Sequence, residues 1–213
     1  SGESTFNAIW YGSSISISLA LICALINMTV GVVIGAIWGF SKKVDIVMTE
    51  VYNVIANVPY VLLISVIVLV MSASFWSMVF ALTVTGWVAI AYFIRTQVII
   101  IRDREYNLAS RCLGTSLWRI LTKNIFPYLI SVIVLRLALS IPGIIAYETT
   151  LSYLGLLDIS TPSLGILLRD ARSNFLEYPY LLVFPAAIVS LITVTFYLVG
   201  NAFSDACDPR NHV

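Results

Sequence analysis

The chain has 213 residues, 60% of them hydrophobic and 11% charged, with a formal charge of +1 and a mean hydropathy of +0.96. Soluble domains carry about 25% charged residues, so the charges here are too few to build a water-facing surface, and a soluble globular enzyme or a disordered chain is excluded. A nucleic-acid binder would need a basic face to neutralise phosphates, which this balance does not supply. What remains is an all-α, polytopic membrane protein, a single transmembrane domain over 1–213 bathed in membrane lipid.

Residues 1–14 read as an interfacial lead-in with Trp10 and Tyr11 at headgroup level. The chain starts at Ser1 with neither methionine nor charged leader, and reads as a fragment or trimmed domain. A hydrocarbon layer about 30 Å thick takes roughly 20 apolar residues per helix. Five stretches meet that length: 15–40, 46–71, 76–101, 125–147 and 180–200. Each is predicted to be continuous helix, because lipid offers backbone groups no hydrogen-bond partner.

The first span contains G-V-V-I-G-A-I-W-G, which sets Gly31, Gly35 and Gly39 four residues apart as a helix-packing ridge. On the second, Asn53 and Asn57 form a polar stripe before Pro59. Pro59, Pro142 and Pro185 each lack a backbone donor and can kink their helices. In the fourth span Arg136 lies about 16 Å along the helix from Ile125, near mid-membrane, where a charge needs a cavity or a partner. Glu148 follows near the external end, placed to line an outer vestibule. Asn53, Asn57, Arg136 and Glu148 are the candidate translocation-pathway residues, with a structural ion pair to a neighbouring subunit as the other reading of Arg136.

Charge placement orients the bundle. The link 41–45 holds Lys42 and Lys43 against Asp45, and the loop 102–124 holds Arg102, Arg104, Arg111, Arg119 and Lys123 against Asp103 and Glu105. Both fall on one side if five helices alternate, and positive charge marks that side, with the C-terminus, as cytoplasmic. The loop 149–179, with Asp158, Asp170 and Glu177 against Arg169 and Arg172, is then external.

The cytoplasmic loop R-D-R-E-Y-N-L-A-S-R-C-L-G-T-S-L-W-R-I-L-T-K-N-I-F-P predicts a helix of about nine residues, a turn at Gly114, and a second helix of similar length. Thr115 or Ser116 can cap the second helix. Leu108, Cys112 and Leu113 make one side of the first helix apolar, and Arg111, Arg119 and Lys123 ring the unit. Two short helices folded at a membrane face suit a docking knob for a cytoplasmic partner.

The spacing of Glu105, Ala109, Ser110, Gly114 and Pro127 resembles the EAA loop of ABC-importer permeases, with Ser110 where a second alanine is usual. L-S-Y-L-G-L-L-D-I-S-T-P-S-L-G, from Leu151 to Gly165, and the tail D-A-C-D-P-R, from Asp205 to Arg210, are similar to segments of the peptide and nickel permeases. The resemblance covers essentially the whole chain. It implies a type I ABC importer permease, MetI-like in fold, in a prokaryotic plasma (inner) membrane, with one further helix usual upstream. It also implies a second homologous permease, two ATP-binding subunits and an extracellular or periplasmic substrate-binding protein as partners. Glu105, Ala109, Ser110 and Gly114 are by that resemblance ATPase-docking residues, and Arg111 joins them on charge and position.

The chain contains no G-x-x-x-x-G-K-[ST] loop, so the expectation is a non-catalytic subunit without a cofactor, with ATP and magnesium on partner ATPases. Cys23, Cys112 and Cys207 form no metal or disulfide pattern, and His212 is the single histidine. Oligopeptides or dipeptides are the expected cargo. A nickel chelate, glutathione or another small solute is the alternative within the family, and an ATP-independent channel or membrane scaffold the alternative outside it.

Overall fold

The computed structural model describes residues 4–72, 74–156 and 162–207. All regular structure among them is helical: α1 Thr5–Phe40, α2 Lys42–Ala56, α3 Tyr60–Met71, α4 Phe75–Val84, α5 Gly86–Arg102, α6 Glu105–Cys112, α7 Leu117–Arg119, a π turn Ile120–Ile125, α8 Phe126–Tyr153, α9 Leu164–Ser173 and α10 Tyr180–Cys207. Four helical stretches, Thr5–Phe40, Phe75–Arg102, Ile120–Tyr153 and Tyr180–Cys207, are long and apolar enough to cross a membrane, and the bent pair α2–α3 makes a possible fifth crossing.

Two sequence expectations need correction. The second span is not continuous: α2 and α3 meet at 76°, with Pro59 immediately before α3. Proline cannot donate to the carbonyl one turn back and its ring crowds that carbonyl, which is why the break falls here. Helix α1 is continuous from Thr5, so Trp10 and Tyr11 lie on the same helix as the first span. In the loop, the second helix does not end before the fourth span. It runs from α7 through the π turn into α8. Pro127 is the second residue of α8, and in a regular helix its ring would meet the carbonyl of Lys123. The wider π turn lies immediately upstream of that position.

The helices divide into two compact units, one of residues 1–25, 58–84 and 139–198, the other of residues 26–57, 85–138 and 199–213. In the first unit, Leu19, Ala20, Cys23 and Ala24 of α1, Ile64 and Val68 of α3, Met78 and Leu82 of α4, and Ile145 and Leu151 of α8 are buried. Tyr60 donates to the Leu82 carbonyl at 2.8 Å and lies edge-on to Tyr147.

In the second unit, Met28, Ile90, Ile94, Val98, Ile101, Ile120, Ile125 and Leu129 form one core. Gly31, Gly35 and Gly39 lie against α5 there. A methyl group at Gly31 would sit 2.7 Å from Ile90 Cγ2, one at Gly39 2.7 Å from the Arg95 carbonyl, and one at Gly35 would overlap the Ala91 carbonyl. Lipid tails are as apolar as these side chains, so close backbone approach and polar contacts, rather than expulsion of water, hold such helices together. A bidentate pair adds to this contact: Arg95 Nε and Nη2 donate to Asp45 Oδ1 and Oδ2 at 2.7 and 2.9 Å. Beside it Tyr52 and Tyr92 stack at 4.2 Å.

Candidate functional site

The loop between α5 and α8 is anchored at its root by two side chains that sequence reasoning passed over. Arg102, 7% exposed, donates Nη1 to the Gly39 carbonyl at 2.8 Å. Its Nε and Nη2 reach the two carboxylate oxygens of Asp103, both at 2.8 Å. The loop's first residue is thereby tied to the end of α1. The guanidinium holds the Asp103 carboxyl below the usual carboxylate range. By the positive-inside reading Arg102 was one basic loop residue among five. The signal that could have singled it out is its place on the apolar face continued from Ile94, Val98 and Ile101.

Asn107, fully buried, is the second anchor. Its Nδ2 donates to the Ile101 carbonyl at 2.7 Å, and its Oδ1 accepts from Asn124 Nδ2 at 2.8 Å. One amide therefore closes α6 onto both α5 and the π turn. Buried amides are retained only when both ends are satisfied, and here both are. No spacing rule reveals this, because the partners are a carbonyl six residues upstream and an amide seventeen residues downstream.

Beyond these anchors the loop turns outward. Gly114 has φ +79°, with open space where a side chain would project, so the backbone conformation alone demands glycine. The Thr115 amide donates to the Ser110 carbonyl at 3.0 Å, closing the end of α6. Ser116 is the observed cap, its Oγ accepting from the Arg119 amide at 3.4 Å. Glu105, Ala109, Arg111 and Gly114 are exposed and Ser110 is half-buried, with Ser110 Oγ donating back to the Tyr106 carbonyl. Leu113 is 87% and Trp118 74% exposed, with Tyr106 and Leu108 also open. All four lie outside the helical stretches long and apolar enough to cross a membrane.

The other candidates lie apart from this loop in sequence and differ in setting. Asn53 on α2 and Asn57, the residue that caps its end, are exposed, and Asn57 Nδ2 bonds back to the Asn53 carbonyl. Arg136 is half-buried on α8, its guanidinium 5.1 Å from the centre of the Phe93 ring. A cation over an aromatic face is a favourable arrangement that leaves the guanidinium's edge free to bond. Glu148 is 1% exposed, and its oxygens accept from Ser16, Ser152 and Ser163, so in this conformation it lines no open space. Within the two motif segments and the C-terminal tail, residues 157–161 and 208–213, including Asp158, Arg210 and His212, lie outside the described residues.

Residues 31–213 match the family model described as "Binding-protein-dependent transport system inner membrane component". The chain belongs to this family. It is accordingly a membrane permease component, a non-catalytic subunit of a transport system. The oligopeptide transport system permease protein AmiD of Streptococcus pneumoniae is 45% identical over 212 residues, covering 99% of this chain and 69% of that protein. The dipeptide transport system permease protein DppC of Bacillus subtilis is 34% identical over 213 residues, covering 98% and 66%. The chain thus spans about two thirds of the length of these relatives. Its fold is that of a chain in an inward-facing structure of the MetNI methionine ABC transporter, with TM-score 0.79 at 13% identity, covering 97% of this chain and 99% of that one.

Proposed function

We propose that this permease component carries oligopeptides or dipeptides into the cell as part of an ATP-driven importer. In this reading the loop 102–124 faces the cytoplasm and seats on a partner ATPase. The observation that carries the docking role is the loop's construction, rigid at its root and apolar at its tip. Arg102 and Asn107 fix α6 to α1, α5 and the π turn, while Leu113 and Trp118 stand exposed. A push on α6 therefore reaches α5 through Asn107 and α8 through the unbroken α7–π–α8 path. Glu105, Ala109, Ser110, Arg111 and Gly114 are the docking residues of this reading.

Two ATP-binding subunits hold the ATP and magnesium, a second homologous permease completes the pathway, and an external substrate-binding protein delivers the peptide. The membrane is a prokaryotic plasma (inner) membrane, with the C-terminus cytoplasmic and the loop 149–179 external. Asn53, Asn57 and Arg136 face the pathway and offer amide and guanidinium groups to peptide carbonyls or a peptide carboxylate. The bend at Pro59 gives α2 and α3 a joint at which one segment can turn while the other stays packed.

The test is purification of the full-length protein from its own membrane, identification of co-purifying chains by mass spectrometry, and peptide-binding assays on the recovered substrate-binding protein. P-loop ATPases, a second permease and peptide binding support the reading. A binding protein that takes a nickel chelate or glutathione and no longer peptide would move the cargo to the family alternative. Recovery of the chain alone, under conditions that keep other complexes intact, would favour a channel or scaffold.

A further inference from the structure

Helix α2 has no fully buried residue along its length. Ile46, Val47 and Val54 are exposed, whereas Asp45, Thr49 and Tyr52 are half-buried at a spacing that puts them on one helix face. Apolar burial therefore does little to seat α2, and polar and aromatic contacts must hold it.

Those contacts converge on Arg95, which stands inside an apolar stretch of α5. Its Nε and Nη2 donate to Asp45 Oδ1 and Oδ2 at 2.7 and 2.9 Å, and Thr49 Oγ1 adds a bond to Asp45 Oδ1 at 3.3 Å. The guanidinium carbon lies 5.8 Å from the centre of the Trp38 ring and 5.6 Å from that of Tyr92. Tyr92 stacks on Tyr52 of α2 with the ring planes 9° apart. Trp38 of α1, completely buried, lies against both tyrosines with ring centres 6.0 and 5.8 Å away. A planar fork held between a carboxylate and aromatic faces is fixed in orientation, which a lysine ammonium would not be. The Arg95 and Asp45 side chains are only 20% and 24% exposed, so the pair is better shielded than an open surface ion pair.

The same face of α5 carries the root of the loop 102–124. Arg102 lies seven residues beyond Arg95, two turns or about 10 Å along the helix, and donates to the Gly39 carbonyl. Gly39 in turn packs onto the intervening stretch: a methyl group there would sit 2.7 Å from the Arg95 carbonyl and 2.9 Å from Val98 Cβ. Between these two arginines α5 therefore holds α2, the end of α1 and the loop root together. One residue before Arg102, the Ile101 carbonyl receives the bond from Asn107 of α6.

We propose that Arg95 is a positioning residue for transport: with Asp45 it makes α2 follow α5, so that movement of the loop 102–124 passes to the helix that carries Asn53. A displacement of α6 reaches α5 through Asn107, and the bidentate pair takes α2 along. The transport role rests on the importer reading above, whereas the fastening of α2 does not.

The test uses the complete purified complex in lipid nanodiscs, with Asp45→Asn, Arg95→Lys and the double variant Asp45→Asn/Arg95→Gln. Hydrogen exchange over residues 42–56 reads the fastening, and exchange over 105–112 reads the loop. In Asp45→Asn, exchange over 42–56 should rise about tenfold, the loss of roughly one charge-assisted hydrogen bond, with 105–112 as in the wild type. Mg-ATP should change exchange in both segments of the wild-type complex. In Asp45→Asn the response of 42–56 should shrink at least twofold while that of 105–112 persists, and peptide moved per ATP should fall several-fold. Arg95→Lys, which keeps the charge without the fork, should act in the same direction more mildly. The double variant should lose no more than Asp45→Asn, because a neutral amide pair leaves no charge unpaired.

Unchanged exchange over 42–56 in Asp45→Asn would overturn the fastening. A nucleotide response of α2 that survives at full size in that variant, or that is missing in the wild type while α6 responds, would overturn the transmission. Losses that add in the double variant would mean that the two residues do not act as a pair. Loss of the assembled complex in both single variants would make the pair a folding element and overturn the positioning role. A wild-type complex in which neither segment responds to Mg-ATP would instead bring down the seating of the loop on an ATPase, while exchange without nucleotide still judges the fastening. If that complex hydrolyses ATP and moves no peptide, the cargo reading fails, and the nucleotide response of α2 still judges the transmission.

Discussion

Replacing Asn107 by alanine should loosen the loop from α5 and the π turn. The substitution removes the hydrogen bond to the Ile101 carbonyl and the one from Asn124, in surroundings where Asn107 and Ile101 are buried. Each lost bond costs about 1 kcal/mol net, and each buried group left unsatisfied adds roughly 1–3 kcal/mol. Water reaches the half-buried Asn124 more easily than the Ile101 carbonyl, so the total is about 2–4 kcal/mol. Every 1.4 kcal/mol is tenfold in an equilibrium, so the population with α6 detached rises by about 30-fold or more. The assay is peptide uptake and ATP hydrolysis by the reconstituted complex, with hydrogen exchange over residues 105–125. Peptide moved per ATP should fall several-fold while exchange in α6 accelerates. Normal exchange together with normal coupling would refute the argument that this amide holds the loop.

Three further perturbations bear on the same account. Gly114→Val, forced to hold φ +79° in open space, should cost about 1–2 kcal/mol in the turn and lower transport per ATP. Gly114→Asn should be milder, and equal loss in both, measured by uptake, would point to the side chain rather than the backbone. Gly35→Val, whose added atoms overlap the Ala91 carbonyl, should destabilise by about 1–3 kcal/mol or more and lower the detergent melting temperature of the purified protein, whereas an unchanged melting temperature would mean α1 and α5 are not so closely packed. Arg136→Leu should change the peptide concentration for half-maximal uptake without impairing assembly, read by size-exclusion chromatography. Loss of the complex instead would assign Arg136 to an ion pair with a neighbouring subunit.

The membrane spans were legible because lipid imposes both length and continuity on any crossing helix. The break at Pro59 was only half legible: proline marks a kink, but the 76° bend between α2 and α3 depends on what each segment packs against. The turn at Gly114 could be read because only glycine takes that backbone conformation easily. Arg102 and Asn107 could not be read in the same way. A buried arginine at a helix end looks like any basic loop residue until the Gly39 carbonyl is brought beside it, and an asparagine in a polar loop shows no sign of burial. Arg95 was hidden for the opposite reason. It sits inside an apolar stretch, and its partner Asp45 lies fifty residues away in a link read as plain loop. Pairings between distant segments are set by helix packing, which periodicity within one helix does not encode.

The central claim is best tested by uptake of a labelled oligopeptide into proteoliposomes that carry the complete complex, with ATP enclosed on the side of the loop 102–124 and the substrate-binding protein outside. The account predicts accumulation that requires hydrolysable ATP and the binding protein, and that falls in Asn107→Ala. Uptake that proceeds equally without ATP, or is indifferent to that loop, would contradict it.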